Sequence, residues 1–488
     1  MNRILTKIIA FGVSVPSLLF ATACSGDPGK AATKATGGAP IYPDYKGVTV
    51  PVNIAPLNFR VRGVEKMKAE FNAEGGEALV VVSDGTLLSI PEKKWSALLD
   101  NAKGKKIDVT VSIWSTSHPE GIEFPTFPIY ISADSIDPYI SYRLIEPGYE
   151  GWKRMGIYQR NLSNFEEKAI ADNYANNDGC INCHSYSNYS PETMMFHARG
   201  NGGGTVIYKD GELTKINLTE KGPKKQAVYP RWHPEGRYIA FSSNDTHQTF
   251  YGPNGNPLEV YDISSDLIIY DTEKDSVIAD PRFLEGKRWE TFPEWSPDGK
   301  WLYFSSADSC NMPADRDKLR YDILRVGFDA GKGAFTEHID TVVHAAVKGG
   351  SASYARISPD GKYLLYTLAE HGTFPVWHES ADLRIVSLED GSELNTDILN
   401  SKQSESYHSW SSSGRWILFA SRRLDNRFTR LFIAHIDADG KLGKPFLLPQ
   451  EDPERNVLRM KSYNIPEFMK GEVNFPKEEL KSLFQPKP

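Results

Sequence analysis

Short runs of alternating apolar and polar residues occur along most of the chain, a pattern that is typical of β-strands. Between residues 48 and 147 such runs include "ALVVVS", "KIDVTVSIW" and "FPIYISA", with one short helical stretch, "EKKWSALLD", starting at Glu92. Several short strands over about 100 residues predict a small β-sandwich domain at residues 48–147.

Five stretches further along the chain align with one another without gaps. Starting at Tyr189, Trp232, Trp295, Ile357 and Trp410, they read "YSPETMMFHARGN", "WHPEGRYIAFSSN", "WSPDGKWLYFSSA", "ISPDGKYLLYTLA" and "WSSSGRWILFASR". Each reads as a strand end, a tight turn and an apolar strand, since Pro presets φ in the turn and an acidic residue followed by Gly completes the reversal. Another β-rich segment follows each copy. Four strands per unit, repeated five times, predict a β-propeller.

The turn "WSPDGKWLYFSS" resembles the repeat of TolB-type propellers, bacterial relatives of the WD-repeat blade, and this resemblance covers about residues 185–450. The string "SYNIPEF" at 462–468 echoes the "TFPEW" that enters one blade. The C-terminus therefore adds a closing strand, starts a sixth unit, or packs on the surface as a tail. The predicted fold is mainly β, with a propeller of five or six four-stranded blades at residues 185–470 and a tail at 471–488.

A linker at residues 148–184 joins the two predicted domains. Ser163 and Glu166 have the S-x-x-E spacing of a capping box. This spacing predicts a short connecting helix from Asn164 to the Asn-rich stretch before Cys180.

The first residues predict export. Arg3 and Lys7 form a basic start, and the apolar run at 8–20 is too short for a membrane span, so residues 1–23 read as a signal peptide. The "ATAC" ending resembles a bacterial lipoprotein box, which would make Cys24 the lipidated first residue; the alternative is ordinary cleavage with an incidental cysteine. Residues 24–47 read as a flexible tether. The expected location is the bacterial cell envelope, lipid-anchored to the outer membrane on its periplasmic or external side, with no transmembrane span in the mature protein.

Charge and cysteine content narrow the function classes. The net charge of -7 is spread along the chain, which argues against a nucleic-acid partner. Four cysteines are few for an exported protein of this size, so disulfides are not its framework.

The string "GCINCHS" at residues 179–185 carries the clearest chemistry. In an exported chain, C-x-x-C-H is the attachment signal for a c-type haem, so one covalent haem c is expected on Cys180 and Cys183, with His184 as axial iron ligand. A disulfide between the two cysteines would give the adjacent His184 no role. A thioredoxin-like redox pair needs a βαβ unit, and a zinc site needs further ligands. Exported lipoproteins that join TolB-type repeats to one such motif are similar to this chain and occur mainly among Bacteroidetes.

The sixth iron ligand is open at this point. Strand alternation places Met195, His197 and Arg199 on one face. His197 or Met195 is the first option for the distal ligand, and Arg199 could pair with a haem propionate. Met155 and Met312 are the more distant options, and a vacant or water-bound position is another.

Two function classes follow. The first is a membrane-anchored monohaem c-type cytochrome that exchanges electrons with redox partner proteins of the envelope. The second is a TolB-like module that binds protein or envelope polymer and carries a structural or sensory haem. An open iron position would instead favour a haem peroxidase or reductase.

Overall fold

A computed structural model of the chain describes residues 26–146, 154–200, 202–222, 227–250 and 257–485. Strands are the main regular element of the described residues, and they form an N-terminal domain and a ring of six small sheets. Cys24 and the predicted signal peptide lie outside the described residues.

The N-terminal domain is rich in β-strands, as expected. Its strands are β1 (Thr33–Lys34), β2 (Thr49–Val50), β3 (Phe59–Arg60), β4 (Lys66–Ala73), β5 (Leu79–Asp84), β6 (Leu87–Leu88), β7 (Lys106–Ser115), β8 (His118–Glu123) and β9 (Phe127–Ile131). Seven of them share one sheet, while β3 and β6 form a two-stranded sheet. The predicted helix is confirmed as α1 (Glu92–Asn101), which packs its Trp95 ring edge-on against Phe71 of the sheet, with 6.0 Å between ring centroids.

The strands of the ring come from the rest of the chain. In chain order they are β10 (Tyr139–Ile145), β11 (Gly156–Asn161), β12 (Glu167–Asp172), β13 (Ile181–Tyr186), β14 (Met194–Ala198), β15 (Gly204–Lys209), β16 (Glu212–Ile216), β17 (Val228–Trp232), β18 (Tyr238–Phe250), β19 (Leu258–Asp271), β20 (Ser276–Ile278), β21 (Arg288–Trp295), β22 (Trp301–Asp308), β23 (Asp322–Asp329), β24 (Ala334–Val343), β25 (Ser351–Ile357), β26 (Tyr363–Ala369), β27 (Asp382–Ser387), β28 (Glu405–Trp410), β29 (Trp416–Ser421), β30 (Arg430–His435), β31 (Phe446–Leu447) and β32 (Ser462–Met469). Two short helices, α2 (Arg455–Leu458) and α3 (Lys477–Ser482), flank β32.

These strands build a six-bladed β-propeller. Blades 1, 2, 3 and 5 are β13–β16, β17–β20, β21–β24 and β28–β31, and blade 4 is β25–β27. Blade 6 places β32 innermost, followed by β10, β11 and β12. The innermost strands contact one another in the order β13, β17, β21, β25, β28 and β32, and β32 returns to β13. The propeller prediction is therefore confirmed with six blades, and the "SYNIPEF" segment is the closing strand.

The predicted connecting helix is corrected by this arrangement. Within the described residues, the segment after Asn164 continues into strand β12 and a single 3-10 turn at Asn173–Asn176. The Ser163 hydroxyl donates to Oδ1 of Asn161 at 2.7 Å, and the backbone N–H of Glu166 donates to Oδ1 of Asn164 at 2.8 Å. The S-x-x-E spacing here belongs to the hairpin loop between β11 and β12. Strands β10–β12 thus occupy parts of the predicted sandwich (48–147) and linker (148–184).

One hairpin is much longer than the others. Strands β18 and β19 have 13 and 14 residues and stay paired from Tyr238 to Phe250, well beyond the part of β18 that pairs with β17. Val260 of this hairpin packs among Tyr229, Phe292 and Phe374. The long hairpin therefore covers one end of the central channel.

The N-terminal domain and the propeller share one hydrophobic core. It joins residues of the N-terminal sheet, such as Met67 and Val109, to Trp416 and Leu418 of blade 5. The three α-helices in the described part of the chain are short, and none of them could span a lipid bilayer.

Candidate functional site in the propeller channel

The channel is lined by one backbone feature that occurs six times. Each innermost strand is interrupted by a β-bulge at the same place, and the bulged residue has positive φ. These residues, called here the bulge ring, are Cys183 (54°), Tyr229 (53°), Phe292 (52°), Tyr354 (59°), Tyr407 (42°) and Ile465 (51°). A bulge turns a side chain away from its usual alternation. All six residues line one narrow cavity of about 30 Å³.

The C-x-x-C-H motif contributes to this cavity directly. Cys183 is the single cysteine in a ring of otherwise large apolar and aromatic residues, and His184 also lines the cavity. Burial raises the pKa of the Cys183 thiol, although the backbone N–H of Tyr229 stabilises its charged form. The sequence predicted these two residues as a site, and the structure places both at the channel wall.

His184 is buried and lacks hydrogen-bond partners. Its side chain is 1% exposed, and within the described ranges neither ring nitrogen has a partner. Buried polar groups without partners are uncommon in folded proteins and point to an unseen ligand or water. Burial lowers the pKa of His184 to about 4, so the imidazole is neutral at pH 7 and has a lone pair to offer.

Cys180 lies just before β13 and is buried as well. Its carbonyl oxygen accepts a hydrogen bond from the backbone N–H of Arg199 at 2.8 Å. Cys180 and Cys183 are free thiols in this structure. No group of three ligand atoms close enough to hold one ion includes Cys180, Cys183 and His184 in the described part of the chain. The three donors are therefore not arranged around a single chelated ion.

The register of blade 1 places the two predicted distal ligands, Met195 and His197, relative to His184. Met195 packs with Trp232 and Ile239 of blade 2. His184 instead contacts the ring of Tyr186, which packs on the opposite face toward blade 6, with 5.9 Å between ring centroids.

His197 follows Met195 by two positions in the regular strand β14, so it shares the face toward blade 2. The sheet of blade 1 thus separates both side chains from His184, and His197 or Met195 as distal ligand stays a prediction. Nδ1 of His197 lies 3.4 Å from the Thr205 hydroxyl, and burial lowers the pKa of His197 to about 4.

The runner-up methionines lie in different places. Met155 is buried beside the motif, and its sulfur accepts a hydrogen bond from the backbone N–H of Ile181 at 3.3 Å. Met312 packs in blade 3 next to Cys310, whose sulfur is 3.6 Å away. Arg199 is exposed next to Cys180. Of the two methionines, the structure brings only Met155 next to the motif.

A ring of charged side chains lies beyond the bulge ring. Arg231 contacts Glu294 at 2.9 Å and Glu467 at 2.5 Å, and Arg356 contacts Glu294 at 3.1 Å. These four residues, the charged ring, line a funnel of about 1010 Å³ at the end of the channel opposite the long hairpin. Sequence reasoning missed them, although each stands two positions after a bulge residue in "VYPRW", "TFPEW", "SYARI" and "NIPEF".

Comparison with known proteins identifies no family. No protein-family model matches the chain, and no curated protein matches it. Among solved structures, a puromycin-hydrolyzing peptidase from Mycobacterium tuberculosis is 13% identical, with a TM-score of 0.36 over 83% of this chain and 57% of its own. A putative dipeptidyl aminopeptidase IV from Bacteroides ovatus is 12% identical, with a TM-score of 0.28 over 65% of this chain and 59% of its own.

A third likeness is to prolyl oligopeptidase B from Galerina marginata, at 11% identity and a TM-score of 0.34. It covers 55% of this chain, which spans 37% of that enzyme. Likenesses at these identities and TM-scores say nothing about the chemistry of this channel.

Proposed function

We propose that the protein is a monohaem c-type cytochrome of the bacterial cell envelope, with its haem attached beside the propeller channel. The observation that carries this proposal is the orphaned, buried imidazole of His184, which stands directly after two free thiols at C-x-x-C spacing. Zinc explains these residues less well, because Cys180, Cys183 and His184 do not converge on one point among the described residues.

The residues present suit such a group. Cys180 and Cys183 would form the thioether links, and neutral His184 would supply the axial nitrogen. Haem bound there would supply reversible one-electron chemistry at its iron. The aromatic members of the bulge ring would keep water from its face.

The charge near the motif also suits a cofactor with carboxylates. Arg199 is exposed beside Cys180, and Arg143 of β10 contributes a positive field at both Cys183 and His184. A guanidinium in this position could pair with a propionate. We favour Met155 as distal ligand, because its sulfur lies against the backbone of the motif. A second protein ligand to the iron would suit electron transfer.

The envelope location and partners belong to the same proposal. Lipidation at Cys24 would tether the protein to the outer membrane, and redox proteins of the envelope would exchange electrons with it.

The attachment is tested in a host that is competent for c-type haem attachment. The wild-type chain should keep a haem-staining band after denaturing electrophoresis, and its mass should include one haem. Cys180→Ser combined with Cys183→Ser should lose both signals, while Cys310→Ser is the matched control and should keep them. A colourless wild-type protein, or a stained double variant, would refute the attachment.

The role of the iron is read from the same wild-type sample. A low-spin ferric spectrum that does not change with cyanide or carbon monoxide supports electron transfer. Prompt ligand binding would instead indicate an open position, as in a peroxidase or small-molecule reductase.

The funnel favours one second function. Its charged ring would suit a polar segment of a protein or envelope polymer, with any haem in a structural or sensory role. This binding function would remain if the mature protein proved colourless.

A further inference from the structure

Three buried side chains, of residue types that can bind metal ions, meet at the end of the channel opposite the funnel. Glu259 belongs to strand β19 of the long hairpin, while His371 and His378 lie on the connection between β26 and β27 of blade 4. One ligand atom from each of the three lies within 4.8 Å of the other two. The residues are 7%, 9% and 4% exposed, respectively.

Hydrogen bonding within the protein does not account for both imidazoles. Nε2 of His378 lies 3.0 and 3.1 Å from the two carboxylate oxygens of Glu259. The ring of His371 lies beside that of His378, with 4.6 Å between centroids. Nδ1 of each histidine is buried, and neither has a hydrogen-bond partner within the described ranges. Buried imidazole nitrogens without a partner are costly unless a ligand or a water molecule satisfies them.

We propose that Glu259, His371 and His378 bind one divalent transition-metal ion of the zinc class. Two imidazoles and one carboxylate form a common donor set for zinc, and three protein ligands leave a fourth position for water. The ion would take the place of the hydrogen bond that now joins Nε2 of His378 to the Glu259 carboxylate.

The position of the site indicates what the ion does for the fold. Val260, next to Glu259, and Phe374, between the two histidines, pack together with Phe292 and Tyr354 of the bulge ring. An ion held by Glu259 from blade 2 and by two histidines from blade 4 would fasten the long hairpin across the covered end of the channel.

The test uses the mature chain carrying Cys180→Ser and Cys183→Ser, so that haem iron cannot contribute and a failure of the haem proposal has no effect. The protein is stripped with a chelator, loaded with Zn²⁺ and dialysed, and its zinc is then measured by elemental mass spectrometry. We expect about one zinc per chain. Thermal unfolding should shift to higher temperature with zinc, because only the folded chain presents the assembled ligands.

Ligand variants and a matched control locate the ion. His371→Ala and Glu259→Gln should each weaken zinc binding about a hundredfold or more, judged by competition with a chromogenic chelator. His338→Gln removes an exposed histidine of β24 that pairs with Asp340 at 2.8 Å and should leave zinc binding unchanged. Absence of zinc from the loaded protein, or equal zinc binding by the ligand variants and the wild type, would overturn the proposal. His378 and Glu259 would then form only a hydrogen-bonded clamp.

Discussion

Six side chains reach the channel because their residues share a backbone conformation that L-amino acids seldom adopt. Each positive-φ residue lowers the stability of the fold by about 1–3 kcal/mol, and it persists only where the surrounding contacts hold it. In five blades the bulge carries a large aromatic or aliphatic residue that fills the channel wall. At Cys183 the same conformation directs a thiol into the cavity, so the blade repeat itself explains how the motif reaches the channel.

The sequence predicted which residues form the C-x-x-C-H site, but it did not predict which way their side chains face. The spacing of Cys180, Cys183 and His184 was enough to single out the motif. Strand alternation within β14 holds, but the bulge in β13 shifts the register between β13 and β14 and turns His184 to the other face. His184 therefore faces blade 6 while His197 faces blade 2, and no local pattern indicates such a shift.

Glu167 of blade 6 gives a prediction of how the stability of the fold depends on pH. Its carboxylate contacts Arg459 at 2.6 Å and Arg455 at 2.8 Å, and the Tyr142 hydroxyl donates to it at 2.5 Å. Burial alone would raise the pKa of Glu167, but the two arginines and Tyr142 lower it from 4.5 to about 2. A lowered folded-state pKa stabilises the fold above pH 4.5, and this contribution is lost as the pH falls toward 2.

Glu167→Gln should therefore lower the free energy of unfolding by about 3 kcal/mol at pH 7. The difference from wild type should shrink as the pH falls from 4.5, which denaturant titrations at several pH values would measure. Glu166→Gln is the control, because Glu166 forms an exposed pair with Lys168 that is worth about 0.5 kcal/mol or less. An equal loss in both variants would show that the arginine contacts are not responsible.

At the scale of elements, the sequence predicted the turns of the repeat, but it predicted the sixth blade only in part. A tight turn between two apolar strands is a local signal, and it located blades 2 to 5 correctly. Blade 6 pairs β10 with β32, which lies more than 300 residues further along the chain. The echo of "TFPEW" in "SYNIPEF" indicated β32 as one option, but nothing in β10 marks it as a blade strand, and the local S-x-x-E spacing suggested a helix where a hairpin loop forms.

The closing strand gives the second prediction. Tyr463, Phe468 and Met469 of β32 are 2%, 1% and 0% exposed, and β32 packs against the inner strands of blades 1 and 5. A chain that ends at residue 461 should lose the ring closure, bind the dye ANS and elute as aggregates in size-exclusion chromatography, since an inner sheet edge becomes open. A monomeric truncated chain with the wild-type melting temperature would contradict this expectation.

A chain that ends at residue 475 is the matched control. It keeps β32 and removes only α3 and the tail, so it should elute as a monomer. A synthetic peptide of residues 462–475 should restore part of the lost stability when added to the shorter chain, because it can pair with the edge of β10.

At the scale of the whole molecule, a departure from the repeat explains how the two domains are joined. The turns of blades 2, 3 and 4 carry Pro234, Pro297 and Pro359, whereas blade 5 has Ser412 at the same position. Proline has no backbone N–H to donate. The N–H and the hydroxyl of Ser412 both donate to the buried carboxylate of Asp137, at 2.7 and 2.6 Å.

Neighbouring residues extend this junction. The Ser413 hydroxyl and the Trp416 indole N–H both donate to the carbonyl oxygen of Ser135, at 2.8 and 3.1 Å. Trp416 also belongs to the core that the two domains share. The repeat turn of blade 5, which lacks the proline, thus contacts the connection that leads from the N-terminal domain to blade 6, and the propeller and that domain should unfold together.

The Ser412→Pro change tests this account. The repeat consensus predicts that the variant is more stable than the wild type, whereas domain docking predicts that it is less stable. Restoring the consensus proline would raise stability if the turn acted alone. Docking predicts a loss of about 3 kcal/mol, since the Asp137 carboxylate would stay buried without its two donors. Calorimetry of the wild type should show one transition for both domains, and the variant should melt at a lower temperature.

The Asp137→Ala change completes a double-mutant cycle. Once the carboxylate is gone, Ser412→Pro should cost much less than it does in the wild type, because no buried charge loses its partners. Asp439→Asn, at an exposed turn of blade 5, should leave the melting temperature unchanged. A variant as stable as the wild type, or two separate transitions in the wild type, would mean that the domains fold independently and that Ser412 has no docking role.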